Sequence, residues 1–449
     1  MKIAVVGSGL SGTIVLDTLN KKKFLIYLID SSDVKKREKI KYDKSLNKYS
    51  PKFNNSFFLK KNKKFINFHK LKNNNNFMVT STLVSGGGSN FWGGGIEIPT
   101  KNYQNMVNKK FKIKVERSFY YILNLLCPGQ KIPKSNIKNQ IIHSQKNFKL
   151  KKFFYALSKN DDIDDWYENY TYKSFNSREL LSKLIKNKKI KYISNTNVEK
   201  IELFKNKVFL KTDNINLRNI AFDKVILSCG TLASPILLKK SFPKIFPNNF
   251  RIYHTHMLKL AYFKFNFFSD FSKKLKNISS NLPIVYFDLK KAKDRVLGSI
   301  VLAKQYPNFI FGINKNNFIF KFFKKFILVG NLFFNQNLSS TFIKVSKKNE
   351  FSIFSKKKNI HLKTNYKKLI NKFLMKKGYL PFPIINFSKT IIGSDSHYTS
   401  SLYNNFQYQY KYFNNKVYVL DGSIIPPGNY YTTFSTLTLI RELTKKIKT

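Results

Sequence analysis

The chain has 449 residues, of which 42% are hydrophobic and 16% aromatic, enough for about two to three average domains and too apolar for a largely disordered protein. The 82 basic residues exceed the 24 acidic ones by 58 charges, a balance that ordinarily suggests nucleic acid. Only seven of the 82 are arginine, whose planar fork is favoured in specific base and phosphate recognition. We therefore expect a solvated surface that attracts polyanions non-specifically, and no specific nucleic-acid partner.

The cysteines and the apolar runs indicate the cellular compartment and whether the chain crosses a membrane. Cys127 and Cys229 form no CxxC pair, which predicts a reducing, cytoplasmic compartment and no metal site. Met1 leads directly into an apolar strand, so no signal peptide is expected, and no apolar run reaches the roughly 18 residues of a spanning helix. The stretch Phe318–Phe334, interrupted by lysines, has two interpretations. It could lie on an anionic membrane surface, or form an antiparallel strand pair with its lysines facing solvent, which we favour.

Four segments have readable secondary structure. Residues 2–30 predict strand, glycine turn, helix and strand, and residues 80–97 a glycine-rich loop. Residues 190–240 predict short strands around a turn, a buried strand and a helix start, and residues 415–447 a strand, a loop and a C-terminal helix. The stretches Leu258–Phe267, Ile284–Leu289 and Thr341–Val345 alternate with a period of two, which predicts a half-exposed antiparallel sheet. One domain is thus expected to be interrupted in sequence by another.

The first segment carries a GxGxxG motif in its required context, between an apolar strand and an apolar-periodic helix. Gly7 permits the tight turn, Gly9 lets a pyrophosphate approach the backbone, and Gly12 lets helix and strand pack closely. Asp30 ends the second strand, where a carboxylate accepts hydrogen bonds from ribose hydroxyls. It could instead cap the strand end. The segment predicts a dinucleotide site without choosing between FAD and a nicotinamide cofactor.

Three further segments resemble the glucose–methanol–choline (GMC) oxidoreductases, particularly their short bacterial members. The loop at 84–94, VSGGGSNFWGG, is similar to the family's segment beneath the flavin. Glycines there let backbone approach the isoalloxazine ring, since no side chain intervenes. The resemblance implies FAD as the cofactor and the following flavin-side residues: Gly87, Ser89, Asn90, Trp92 and Gly93.

The other two segments resemble the family's later motifs. Residues 225–238, VILSCGTLASPILL, are similar to a strand followed by a helix start around Gly230, and Val198 matches the residue that covers the adenine. Residues 417–426, VYVLDGSIIP, resemble the closing strand and loop. Asp421 either binds cofactor phosphate or ribitol or caps its turn through Ser423. Thr433 begins a helix whose positive end would face the flavin's pyrimidine ring.

The same resemblance suggests the catalytic positions. His397 lies 24 residues before Asp421, as the family's substrate-facing histidine would, and could take a hydroxyl proton near neutral pH. Its other interpretation is a turn-capping loop histidine. The second catalytic position, His or Asn in the family, aligns with Thr432, which cannot be charged. His254 is expected to be structural.

The resemblance implies an α/β and α+β fold, in which a Rossmann-like FAD domain is interrupted by a substrate domain with an antiparallel sheet. The expected FAD-domain parts are 1–100, 186–245 and 391–449; the substrate or cap parts are 101–185 and 246–390. The implied function is an FAD-dependent oxidoreductase acting on the CH–OH group of an alcohol or carbohydrate, in a surface-polysaccharide pathway as for many short members, with an unknown electron acceptor. The alternative is a degenerate, non-catalytic FAD-binding protein of the same fold, because of Thr432.

Overall fold

The structure is a computed structural model of the chain. It describes residues 1–33, 56–73, 77–90, 95–127, 141–145, 148–151, 154–155, 175–186, 189–265, 284–289, 296–303, 322–336, 341–346, 350–355, 364–383, 386–390, 393, 398–403, 413, 415–428 and 432–447. Trp92, Gly93 and His397 lie outside the described residues, as does the side chain of Asn90.

The described residues form helices and strands with the following bounds. The α-helices are α1 (Leu10–Leu19), α2 (Ser56–His69), α3 (Lys101–Phe111), α4 (Phe119–Leu126), α5 (Ser177–Leu184), α6 (Ala233–Ser241), α7 (Thr364–Lys376) and α8 (Thr432–Lys445). The strands are β1 (Lys2–Val6), β2 (Leu25–Ile29), β3 (Leu71–Asn73), β4 (Gly95–Ile96), β5 (Ile141–Gln145), β6 (Phe148–Lys151), β7 (Phe154–Tyr155), β8 (Ile190–Ile193), β9 (Val198–Phe204), β10 (Lys207–Thr212), β11 (Lys224–Leu227), β12 (Asn249–Ile252), β13 (Met257–Lys264), β14 (Ile284–Leu289), β15 (Val296–Leu302), β16 (Ile327–Phe334), β17 (Thr341–Val345), β18 (Phe351–Ser355), β19 (Tyr379–Pro381) and β20 (Val417–Val419).

Five parallel strands form one sheet, in the order β8-β2-β1-β11-β20. This is the 3-2-1-4-5 arrangement of a doubly wound nucleotide-binding sheet. Its strands are nearly continuous apolar runs because helices cover both faces of such a sheet. The strands come from three distant parts of the chain, so the domain is interrupted in sequence as expected.

Helices follow three of these strands at their carboxyl ends. α1 follows β1, α6 follows β11, and α8 follows β20 after a loop. α1 packs against α8 and α5, while α6 packs against β9. Because the strands are parallel, all three helices begin at the same edge of the sheet, which is the edge where ligands bind in open α/β folds.

A second sheet of seven strands is antiparallel throughout, in the order β19-β13-β16-β15-β14-β6-β5. α7 covers one of its faces: Ile370 and Leu374 of the helix pack with Leu260 and Tyr262 of β13 in a buried cluster. The predicted fold class, a Rossmann-like parallel sheet with a separate antiparallel sheet, is confirmed.

The periodic stretches do not all belong to one sheet. β13 and β14 lie in the seven-stranded sheet, but Thr341–Val345, as β17, lies in a four-stranded sheet of order β12-β17-β18-β3. There β3 pairs in parallel with β18. Alternation identifies a half-exposed strand but carries no information on its neighbours, so the sheet assignment was wrong for this stretch.

The stretch Phe318–Phe334 also differs from the antiparallel strand pair that the sequence favoured. Within its described part, residues 322–326 form a helical turn and only β16 is a strand. The doublets Phe322-Phe323 and Lys324-Lys325 break the period of two, so these residues cannot alternate between two faces. Among the described residues, no helix combines the length and apolarity needed to cross a bilayer.

Candidate functional site

A cavity of about 310 Å³ opens at the carboxyl edge of the parallel sheet. Its wall contains the turn after β1, the end of β2, the glycine-rich loop, the start of β9, the turn after β11 and the first turn of α8. The predicted site residues in this wall are Gly7, Gly9, Asp30, Gly87, Val198, Gly230, Thr432 and Thr433.

The three glycines of the motif have different surroundings. Gly7 has φ +99°, and a Cβ there would stand 2.6 Å from the Ser228 carbonyl oxygen. A Cβ on Gly12 would stand 2.0 Å from the Gly7 oxygen, so Gly12 serves helix–strand packing and does not line the cavity. At Gly9 the nearest atom to such a Cβ would be the Gly87 Cα at 3.9 Å. Of these three glycines, only Gly9 both lines the cavity and leaves room for a Cβ atom.

Asp30 has three protein donors on its carboxylate. The Ser8 amide donates to Oδ2 at 2.8 Å, and the Ser32 amide and hydroxyl donate to Oδ1 at 2.9 and 2.6 Å. A carboxylate offers about four acceptor positions, so one remains for a further donor. Asp30 thus orders the glycine turn, as its capping interpretation expects, and still lines the cavity, as the ribose interpretation requires.

The glycine-rich loop is fixed against the first motif. The Gly86 amide donates to the Ser8 carbonyl at 3.2 Å, and Gly87 adopts φ +51° beside Gly9. Ser89 does not line the cavity: its hydroxyl donates to the Gly86 carbonyl at 2.7 Å and accepts from the Ser177 amide at 3.1 Å. Ser89 therefore holds the loop to the start of α5.

Three helix starts bring backbone groups to the cavity wall. The starts of α1, α6 and α8 all contribute residues to its wall, and Gly9 caps α1 without a side-chain hydrogen bond. Helix N-termini present free N–H groups and a partial positive charge to a ligand. Although the chain has 82 lysines and arginines, none is among the described residues that line the cavity.

Asp421 lies beneath this wall and outside the lining. Its carboxylate accepts from the Gly230 amide at 2.9 Å, the Ser234 hydroxyl at 2.5 Å, and the Ser423 amide and hydroxyl at 2.9 and 2.6 Å. These four donors fill its acceptor capacity. Burial raises the pKa of this carboxyl group, against the lowering effect of the donors. The contacts are those of a turn cap that joins β20 to the start of α6, rather than those of a cofactor ligand.

Tyr398, the residue after His397, joins several loops at the cavity. The Tyr398 carbonyl accepts from the Thr231 hydroxyl at 2.8 Å, and its phenol accepts from Thr80 at 2.9 Å and contacts the Met78 and Gly393 carbonyls. Tyr398 lines the cavity together with Thr432, the first residue of α8. Thr432 is 6% exposed, and its carbonyl accepts from the Thr436 hydroxyl at 2.7 Å.

Several lining residues were not predicted. α2 contributes Phe65, Phe68 and His69, and burial, followed by Lys240, lowers the pKa of His69 to about 3. Their i, i+3, i+4 spacing is that of one helix face, but no sequence motif connects that face with the cavity. Cys229 also lines it, and burial raises the pKa of its thiol.

His254 takes no part in the cavity wall. It is fully buried, its Nε2 lies 2.9 Å from the Thr341 hydroxyl, and its ring packs edge-on to Phe77.

Of three comparisons with known proteins, one found a match, and it concerns the fold. The sequence matches no family profile, and no curated protein matches it. Among solved structures, the chain is similar to pyridoxine 4-oxidase from Mesorbium loti, with a TM-score of 0.57 over 99% of this chain and 98% of that one. Their sequences are 10% identical, so the similarity establishes a common fold alone.

Proposed function

We propose that the chain is an FAD-dependent oxidoreductase of the GMC type that oxidises the CH–OH group of an alcohol or carbohydrate. The observation that carries the proposal is the cavity wall, in which three helix N-termini meet one carboxylate and, among the described residues, no lysine or arginine. Such a wall suits a compact pyrophosphate with an attached ribose better than it suits a polyanion. The shared fold with a structure titled pyridoxine 4-oxidase supports the same reaction class.

The residues present fit FAD. Gly88 and Gly230 line the cavity, and a Cβ on either would meet no atom within 4 Å, so both expose backbone to open space. The first turn of α1 would bind the pyrophosphate, and the remaining acceptor position of Asp30 would take a ribose hydroxyl. Val198 would cover the adenine, and the glycine loop would lie beneath the flavin ring.

When held by the first turn of α1, Asp30 and the glycine loop, FAD would supply the hydride acceptor for the substrate carbon. His397 would accept the hydroxyl proton, while Thr432 would donate a hydrogen bond to the substrate oxygen. The N-terminus of α8 would favour the negative charge that develops at the pyrimidine end of the site. Tyr398, held through both its carbonyl and its phenol, would fix the segment that carries His397.

The test of cofactor identity is the absorbance spectrum of the purified protein. We expect a flavin spectrum and about one FAD per chain, released on denaturation, as a single dinucleotide site requires. Recovery of a nicotinamide nucleotide with no flavin would contradict the proposal.

The second candidate, a flavoprotein without activity, is favoured by one observation: a neutral threonine stands in the cavity wall where the family's second acid–base group aligns. Anaerobic incubation with a panel of primary alcohols, secondary alcohols and sugars separates the two. Bleaching of the flavin band by any of them supports the enzyme. A yellow protein that no compound reduces, but that dithionite does, supports the binding protein.

A further inference from the structure

Outside the cavity, one end of the antiparallel sheet carries a group of exposed apolar side chains. Phe322 is 50% exposed, Phe323 and Phe265 are each 46% exposed, and Leu380 is 41% exposed. We name this group, with the half-buried rings that connect it, the aromatic patch: Phe263, Phe265, Phe322, Phe323, Phe326 and Leu380.

The aromatic patch is one continuous surface. The ring centroid of Phe322 lies 5.7 Å from that of Phe323 and 5.5 Å from that of Phe326. The ring centroid of Phe326 lies 6.4 Å from that of Phe263. Phe263 stands opposite Leu380 in the pairing of β13 with β19. Directly paired residues project from the same face of a sheet. Phe265, two residues after Phe263, projects from that face as well.

The opposite face of the same strands is covered. Tyr262 and Tyr379, the sequence neighbours of Phe263 and Leu380, are fully buried in the cluster beneath α7. The sheet therefore has one face that packs on a helix and one face that presents phenyl rings to solvent. Contiguous exposed apolar surface of this kind marks a site of interaction with a protein or a membrane.

The charge around the patch decides between these partners. The chain segments that form it lie in three runs of sequence without any aspartate or glutamate, at 224–269, 295–349 and 351–394. Lys325 is exposed beside it, and its ammonium lies 5.8 Å from the centre of the Phe322 ring. In the part that the structure describes, the patch combines phenyl rings with a lysine and contains no carboxylate. This combination complements the boundary of an anionic bilayer, where rings enter the acyl region and ammonium groups meet phosphates.

We propose that the aromatic patch is a docking surface for an anionic lipid membrane. The protein lies on the bilayer with the end of the seven-stranded sheet in the interface, while Lys325 contacts lipid phosphates. The inference does not depend on the proposed function, because it rests on a different sheet and on none of the cavity residues.

The experiment is flotation of the full chain with vesicles of phosphatidylcholine alone or mixed with phosphatidylglycerol. The parent protein is expected to float with the mixed vesicles and not with phosphatidylcholine. Replacing two rings (Phe322→Ser with Phe323→Ser) is expected to lower the partition coefficient at least about tenfold, because apolar area buried in the interface is lost. Charge reversal (Lys325→Glu) is expected to lower it by a similar factor, because one attractive charge is replaced by a repulsive one.

A matched control removes apolar surface elsewhere. Phe204 and Ile215 are 60% and 72% exposed, but they lie in the nucleotide domain among carboxylates such as Glu202 and Asp213. The variant Phe204→Ser with Ile215→Ser is expected to bind mixed vesicles as the parent does. If the Phe322/Phe323 variant also binds as the parent does, diffuse lysine charge is sufficient and the proposal is wrong. Self-association of the parent through Phe322 and Phe323 without vesicle binding would make the patch a protein interface, which also overturns it.

A fluorescence measurement tests the proposal without requiring a variant that loses vesicle binding. In Phe322→Trp, we expect a blue shift of the added tryptophan emission with mixed vesicles and quenching by brominated lipid, since the ring would enter the acyl boundary. Unchanged emission in a vesicle-bound protein would place the patch away from the membrane and refute the proposal, whether or not the serine variant folds.

Discussion

The GxGxxG motif makes the sharpest prediction, because its glycines should fail in different ways when each gains a single methyl group. In Gly12→Ala the new Cβ would stand 2.0 Å from the Gly7 carbonyl oxygen, a backbone atom that cannot move alone. Overpacking typically costs about 1–3 kcal/mol, and a contact this short should reach at least the upper end. We expect Gly12→Ala to lose about 3 kcal/mol or more of unfolding free energy.

Gly9→Ala should behave in the opposite way. Gly9 has φ −65°, its Cβ would meet nothing closer than 3.9 Å, and alanine as an N-cap in place of glycine costs less than about 1 kcal/mol. The methyl group would nevertheless stand in the cavity wall, where the pyrophosphate of FAD would approach the backbone in the proposed function. Loss of one hydrogen bond to a charged oxygen costs about 1.5–3 kcal/mol, which is about ten- to a hundredfold in FAD affinity.

The assays are urea unfolding of the FAD-free protein and FAD titration followed by flavin fluorescence. Gly12→Ala should lower the unfolding midpoint, and Gly9→Ala should raise the dissociation constant for FAD at nearly unchanged stability. Equal losses of stability in both variants would refute the separation of fold and ligand roles. Parental FAD affinity in Gly9→Ala would refute the location of the pyrophosphate.

Three further predictions concern titratable and catalytic groups. Asp421→Asn should lower the unfolding free energy by about 1–3 kcal/mol, the cost of a buried donor left without its acceptor, with parental FAD affinity per folded chain. Asp30→Asn should instead weaken FAD about tenfold, and the reverse pattern in the same two assays would contradict the turn-cap role. Burial, followed by His256, lowers the pKa of His254 to about 3. The stability that neutral His254 contributes is therefore complete above its unfolded pKa of about 6.5 and is lost as the pH falls toward 3, by about 2 kcal/mol between about pH 7 and pH 5. His254→Gln should remove that share of the pH dependence in urea unfolding, and an unchanged slope would count against it. His397→Asn should retain FAD and slow anaerobic flavin reduction by about 10²-fold or more, and Thr432→Ala by about tenfold, in stopped-flow traces; an unimpaired His397→Asn would show that the base lies elsewhere.

Sequence was sufficient to predict the parallel sheet because its signals are local. A glycine turn between an apolar strand and an apolar helix can be recognised within 30 residues, and so can the closing strand with the helix that follows it. The pairing of Thr341–Val345 with β12, β18 and β3 was not predictable, since a period of two is the same in every half-exposed sheet.

The two aspartates show where site prediction from sequence ends. Both follow an apolar strand, and either could bind a ligand or cap a turn. Asp30 has three protein donors and Asp421 has four, a difference that depends on Ser8, Ser234 and Gly230, all distant from their acceptor in sequence. Counting donors requires the folded arrangement. The cavity-lining face of α2 was missed for the same reason, because no motif connects it to the glycine turns.

The basic surface and the cavity should act independently, and a competition experiment tests this. Any DNA or heparin bound by the chain would contact lysines, and such binding should be sequence-independent and fall steeply with salt. The described wall of the cavity contains no lysine or arginine, so phosphate binding there would depend on backbone N–H groups at the helix starts. Saturating heparin should therefore leave FAD bound, and the dissociation constant for FAD should rise less than about tenfold, the change expected from screening of the protein's overall charge. Flavin fluorescence of the protein with and without heparin measures this directly. Stoichiometric release of FAD by heparin would mean that the two anions share one basic site. The inference that the lysine charge takes no part in FAD binding would then be wrong.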